Sequence, residues 1–169
     1  VLGLEYPGGP IVDKLAHLGK ETYHLPRVML EADSLDFSFS GLKSAVINLV
    51  HNEEQRNHEI RKEDLACSFQ TIAIDELVRK VELALKNTGI KNMIIAGGVS
   101  ANKYLREQMK IVCEKYNVDL TVPDLIYCTD NAAMIGAAAY PLYLKKEFCG
   151  LDTNASSQIS IKYYDTSKK

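Results

Sequence analysis

The residues equipped for chemistry fall in four places along the 169-residue chain. Asp13 follows Tyr6-Pro7-Gly8-Gly9-Pro10, a turn by composition. Ser38, Ser40 and Lys43 flank Gly41 and offer two hydroxyls and an ammonium to a phosphate; serines in front of a helix also serve simply as its caps. Gly97-Gly98 breaks an apolar run and leads into Ser100 and Asn102. Adjacent residues without Cβ atoms let backbone amides approach a flat or anionic ligand, or merely join a strand to a helix. Asp130 precedes a run of small residues, where a carboxylate is either an N-cap or free for other work. His17, His24, His51 and His58 never stand at the i, i+4 spacing that puts two imidazoles on one helical face. No Ser, Cys and His arrangement for nucleophilic catalysis is evident.

Positioning these groups requires an alternation of helices and strands. Pro10 suits the first position of a helix running to about Leu18 and closed by Gly19, with Ile11, Leu15 and Leu18 facing a core. Asp13 then falls in its first turn, where it complements the helix dipole by about 0.3–1 kcal/mol or binds a ligand. Leu35 to Lys43 reads as strand, turn and helix start, and His51 to Lys62 as an exposed connection. From Glu63 to Asn87 the spacing of Leu65, Phe69, Ile72, Leu77, Val81 and Leu85 predicts a long amphipathic helix ended by Gly89. Met93 to Ala96 reads as a strand buried on both faces. A helix from about Asn102 to Tyr116 follows, with its unpaired N–H groups aimed beside the glycine pair, and then a short strand from Asp119 to Pro123. The small residues of Ala132 to Tyr140 predict a helix in close contact on several sides, kinked or ended by Pro141. The order of elements points to a parallel α/β layer.

Composition sets outer limits. The chain is 46% hydrophobic and 25% charged with net charge −2, an ordinary soluble domain with no overall electrostatic footprint for nucleic acid or an anionic membrane. Cys67, Cys113, Cys128 and Cys149 form no C-x-x-C pair, which argues for reduced thiols in a cytoplasmic protein rather than disulfides or a zinc site. Val1 to Gly9 have neither the basic start nor the apolar core of a signal peptide, and no run of 18 apolar residues occurs, so no membrane association is expected. The chain opens without Met on the lead-in to a turn, and it is expected to be a fragment of a longer protein.

Taken together, Tyr6-Pro7-Gly8-Gly9-Pro10, Asp36 to Lys43, Ala96 to Asn102 and Cys128 to Gly136 closely resemble the TsaD family, the tRNA N6-adenosine threonylcarbamoyltransferases once labelled glycoproteases. The resemblance covers roughly Val1 to Lys146 and corresponds to the family's C-terminal half. It implies an α/β fold of the actin-like ATPase superfamily, with a mixed sheet and flanking helices. Residues 1–149 would form the C-terminal lobe and residues 150–169 a polar tail. Matched position by position, Gly9, Asp13, Gly97, Gly98 and Asn102 would bind an adenylate or ATP. The Asp13 carboxylate would accept from ribose hydroxyls, and the Asn102 side chain would close the same pocket. Asp130 would be one ligand of a divalent metal, iron or zinc.

The family's other two metal ligands, histidines of an H-x-x-x-H motif, and its phosphate-facing glycine turn lie in the half not represented. The resemblance implies transfer of a threonylcarbamoyl group from threonylcarbamoyl-AMP to the exocyclic amine of adenosine 37 in tRNAs that read ANN codons. The metal would serve as Lewis acid and template. Partners would be tRNA, an actin-like paralogue and a small ATPase of the TsaB and TsaE type. No catalytic residue is assigned within this stretch, and the isolated chain is expected to be silent. The alternatives are a lobe of another carbamoyltransferase or kinase of the superfamily, or a non-catalytic protein-binding module.

Overall fold

A 27-residue helix, α3 (Lys62–Thr88), is the spine on which most of the other elements are tied. The computed structural model describes residues 2–27 and 34–155, and the chain divides into two compact units, Val1–Asp130 and Asn131–Lys169. In the first unit, α1 (Gly8–Ala16), α2 (Ser40–Gln55), α3, strand β1 (Asn92–Ile94), α4 (Lys103–Tyr116) and strand β2 (Asp119–Thr121) follow in order. The expected apolar stripe of α3 is realised: Leu65, Ile72 and Leu85 are buried, and Phe69, Leu77 and Val81 pack beside them. Gly89 ends the helix in the left-handed region at φ 64°, a conformation that only glycine adopts without cost.

Polar residues of α3 do as much positioning as its apolar ones. Asp64 Oδ1 accepts from the Lys20 backbone N–H at 2.9 Å, and Ser68 Oγ accepts from that of Tyr23 at 3.1 Å, so two turns of helix fix the chain leaving α1. The buried Lys80 ammonium donates to the Ser34 carbonyl. Glu82 accepts from Lys115 Nζ at 2.7 Å and the Tyr116 hydroxyl at 2.8 Å, which fastens the end of α4. Between them lie apolar clusters. Leu25, Leu42 and Val50 pack on Leu65 and Ile72, while Ile95, Leu105 and Met109 pack on Ile74. Leu85 meets Val112, Cys113 and Val118.

The sheet is smaller than expected. Among the described residues it has two parallel strands, with Asn92 opposite Asp119, Met93 opposite Leu120 and Ile94 opposite Thr121. Met93 and Leu120 face the helices, whereas Ile94 is 72% exposed. The run from Met93 to Ala96 is therefore covered on one face, not two, because α3 and α4 lie on the same side of so narrow a sheet. The strand expected before Gly41 does not form: residues 34–39 are irregular. A strand needs a partner's hydrogen bonds, and none lies beside it among the described residues.

Three helix boundaries also differ from expectation. Helix α1 starts at Gly8 with Pro7 as its N-cap, so Asp13 lies beyond the first turn and Leu18, 63% exposed, lies outside the helix. Gly19 is required for space rather than as a cap, since a Cβ there would stand 2.1 Å from the Glu63 carbonyl oxygen. Helix α2 runs through His51 to Gln55, where an exposed connection was expected. The i, i+4 pair of His51 with Gln55, at 3.0 Å, and Glu53 beside Arg56 and His58 support its polar last turn.

In the second unit, α5 (Ala132–Leu144) continues past Pro141, and none of its residues is buried. Within its own unit it is the one regular element among the described residues, so no second element there supplies the close contact expected from its small residues. Residues 150–155 of the expected tail are described and exposed, and residues 156–169 lie outside the described residues. Among the described residues no helix is long and apolar enough to cross a membrane. All four cysteines are free thiols.

Candidate functional site

Helix α1 presents Gly9 and Asp13 four positions apart, hence on one face. Helix α4 begins at Asn102, whose extended backbone and side-chain oxygen make it the N-cap: Oδ1 accepts from the Leu105 N–H at 2.9 Å. The Asn102 amide nitrogen then reaches out of the cap in two directions. Nδ2 donates to Asp13 Oδ1 at 2.9 Å and to Gln70 Oε1 of α3 at 2.8 Å. Three helices thus meet at one carboxamide. Asp13 keeps 22% of its side chain exposed, and His17 Nδ1 lies 3.6 Å from the same Asp13 oxygen, Oδ1. Asp13 Oδ2 makes no hydrogen bond among the described residues.

The glycine turn lies in the segment that ends at Asn102. Gly97 has φ 85° and ψ 170°, a region closed to side-chain-bearing residues, and this bend sends the chain from Ile95 into a 3-10 turn, Gly98–Ala101. Ser100 is 1% exposed and ties the turn internally, its N–H and hydroxyl both donating to the Gly97 carbonyl, at 2.9 and 2.7 Å. Arg106 secures it from α4: Nε donates to the Ser100 carbonyl at 2.5 Å, while Nη2 reaches the Pro123 carbonyl at 2.8 Å and Cys128 Sγ at 3.2 Å. What remains outside is bare backbone. A Cβ built at Gly9, Gly97 or Gly98 meets nothing within 4 Å, so protein packing does not explain the missing side chain at Gly9 or Gly98. Open space in front of all three is compatible with a flat ligand lying against the backbone.

The other candidates are placed less tellingly. Ser38 and Ser40 hydroxyls lie 3.1 Å apart, but α2 has Phe39 at its N-cap position and no side-chain cap, so neither serine plays the capping role. Asp130 is exposed and is not the N-cap of α5; Asn131 is, with Oδ1 accepting from the Met134 N–H at 2.9 Å. The capping alternative for Asp130 is thereby removed. Among the described residues no group of three or more His, Cys, Asp or Glu side chains could hold a metal ion. Asp130 is a hard oxygen donor, yet one carboxylate is not a metal site, and the donor set is incomplete among the described residues.

Gln70 is the site residue that the sequence reading missed. The stripe through Leu65, Phe69 and Ile72 dominates the pattern of α3 and hides it. A second buried line runs at intervals of four through Ala66, Gln70 and Ile74, and a polar residue on such a line was the available signal.

The family model for TsaD, the tRNA N6-adenosine threonylcarbamoyltransferase, matches residues 1–137. A Staphylococcus haemolyticus tRNA N6-adenosine threonylcarbamoyltransferase is 50% identical over 161 residues, which is 95% of this chain and 47% of that protein. Similarly named proteins of Halalkalibacterium halodurans and Staphylococcus aureus are 48% identical over 161 and 163 residues, covering 95% and 96% of this chain and 47% and 48% of their own length. The chain therefore spans about half the length of these relatives. Matched over most of its residues, it belongs to the TsaD family, the tRNA N6-adenosine threonylcarbamoyltransferases.

Proposed function

We propose that this chain is the C-terminal lobe of an actin-like ATPase fold and supplies the nucleoside-binding half of a tRNA N6-adenosine threonylcarbamoyltransferase. The observation that carries the reading is the Asn102 to Asp13 hydrogen bond, which brings together two residues 89 positions apart next to a glycine turn with open space before it. In the full-length protein the substrate would be threonylcarbamoyl-AMP. Asp13 would accept hydrogen bonds from the ribose hydroxyls, and the adenine would lie against the backbone of Gly97 and Gly98, with Gly9 opposite. Holding the AMP portion fixes the direction in which the carbamoyl carbon is presented.

The exocyclic amine of adenosine 37 attacks that carbon. An N–C bond forms, the C–O bond to the phosphate breaks, AMP departs with the electron pair, and the amine loses a proton to solvent. This chain's task is to bind and orient the leaving group. Asp130 would provide one oxygen ligand to a divalent metal, iron or zinc, completed by histidines of the other half. tRNA, an actin-like paralogue and a small ATPase would be its partners in the cytoplasm.

The test is product formation. Full-length protein with its partners should convert unmodified tRNA to the threonylcarbamoyladenosine form when given threonylcarbamoyl-AMP, and the isolated chain should not. Product from the isolated chain above a no-enzyme control would overturn the division of labour, and none from the full-length protein would overturn the assignment.

A further inference from the structure

The Asn102 carboxamide is fully committed within the protein. Its oxygen caps α4 at Leu105, and its nitrogen has two hydrogens, directed at Asp13 and Gln70. Gln70 is 8% exposed, so its side chain is largely shielded from solvent. The amide plane of Asn102 has three fixed points: the Leu105 N–H, the Gln70 oxygen and the Asp13 oxygen.

We infer that Gln70 is a positioning residue. It fixes the rotation of the Asn102 amide, and through it holds Asp13 Oδ1, so that the other carboxylate oxygen, Oδ2, is presented to the ligand. This inference rests on the nucleoside reading given above and deepens it: Gln70 acts on Asp13 through the Asn102 amide. Without Gln70 one Asn102 N–H loses its acceptor, the amide is free to turn, and Asp13 loses the partner that selects its rotamer. A role confined to α4 stability is a different matter, because the cap bond to Leu105 uses the Asn102 oxygen and not its nitrogen.

The experiment is a double-mutant cycle in the full-length protein, with AMP titrated calorimetrically and each variant melted. Gln70→Met keeps length and apolar fit while removing the acceptor. It should weaken AMP by about three- to tenfold, the scale of one hydrogen bond. Asn102→Ser keeps a capping oxygen and removes both amide N–H donors, its shorter hydroxyl being engaged at the cap. Adding Gln70→Met to Asn102→Ser should then change affinity no further, because Gln70 acts only through Asn102. Losses that multiply in the double variant, or a Gln70→Met protein with unaltered affinity, would overturn the inference. A lower melting temperature at unaltered affinity would likewise make Gln70 a purely structural residue. Asp13→Ala is the control: if it leaves AMP binding intact, the nucleoside reading itself fails, whereas a weakened Asp13→Ala beside an unaffected Gln70→Met removes the positioning role alone.

Discussion

Asn102 Nδ2 and Asp13 Oδ1 lie 2.9 Å apart, joining the start of α4 to the second turn of α1. Because the same Asn102 side chain caps α4, substitutions there separate two functions. Asn102→Ala should lose both the cap, about 1 kcal/mol of stability, and the hold on Asp13. Asn102→Ser should keep the melting temperature close to the parent while AMP affinity falls. Thermal melts alongside AMP titration check this, and equal melting losses in the two variants would count against it.

The two glycines of the turn should respond differently. Gly97→Ala forces a side chain into φ 85° and should cost about 1–3 kcal/mol of stability. A Cβ at Gly98 meets open space, so Gly98→Ala should leave stability within about 0.5 kcal/mol. It should nevertheless weaken AMP, because the methyl group would occupy ground proposed for the ligand. Chemical denaturation gives the first comparison and calorimetry the second.

Gly19→Ala should be severe for a different reason. With Glu63 backbone only 2.1 Å from the new Cβ, the chain leaving α1 must move off the start of α3, at about 3 kcal/mol. Denaturant melts would show it as a lowered midpoint, and an unchanged midpoint would mean that the crossing readily relaxes.

These glycines mark how far the sequence could be read. The long stripe of α3, its end at Gly89, the Asn102 start of α4 and a second strand at Asp119 were all legible, because periodicity and capping are local signals. The strand before Gly41 was not, because alternation in Phe37, Ser38 and Phe39 says nothing about whether a partner strand is at hand. Those two rings are instead stacked 6.4 Å apart in an irregular segment. Asp13 was singled out from local sequence, but its link to Asn102 and Gln70 depends on three helices converging, and no local pattern encodes that.

Arg106 offers a check on the turn from its far side. It binds Ser100, Pro123 and Cys128 at once, and Cys128 is 2% exposed. Arg106→Ala should release roughly 1.4 kcal/mol of local stability and raise the open population about tenfold, with a matching rise in Cys128 alkylation. Peptide-resolved mass spectrometry separates this from the exposed Cys149. Unaltered Cys128 labelling would mean that other contacts close the segment.

The tie between α3 and α4 should depend on pH. Hydrogen bonds from Lys115 and then Tyr116 hold the Glu82 carboxyl below the usual range, against the opposing effect of burial. A folded pKa below the unfolded one adds stability that is fully present above the unfolded value and lost as pH falls through the folded one. Parent protein should therefore lose more stability than Glu82→Gln as pH drops below the ordinary carboxylate range, a difference read from paired acid titrations of the melting temperature. Parallel curves would contradict it.

The central claim is that Asp13 meets the nucleoside, and calorimetric titration of AMP into full-length parent and Asp13→Ala proteins tests it most directly. One or two lost hydrogen bonds to ribose predict affinity weaker by about five- to 150-fold, with a melting temperature little changed because Asp13 retains 22% exposure and does not cap a helix. Unaltered AMP affinity in Asp13→Ala would contradict the account and move the nucleoside site elsewhere.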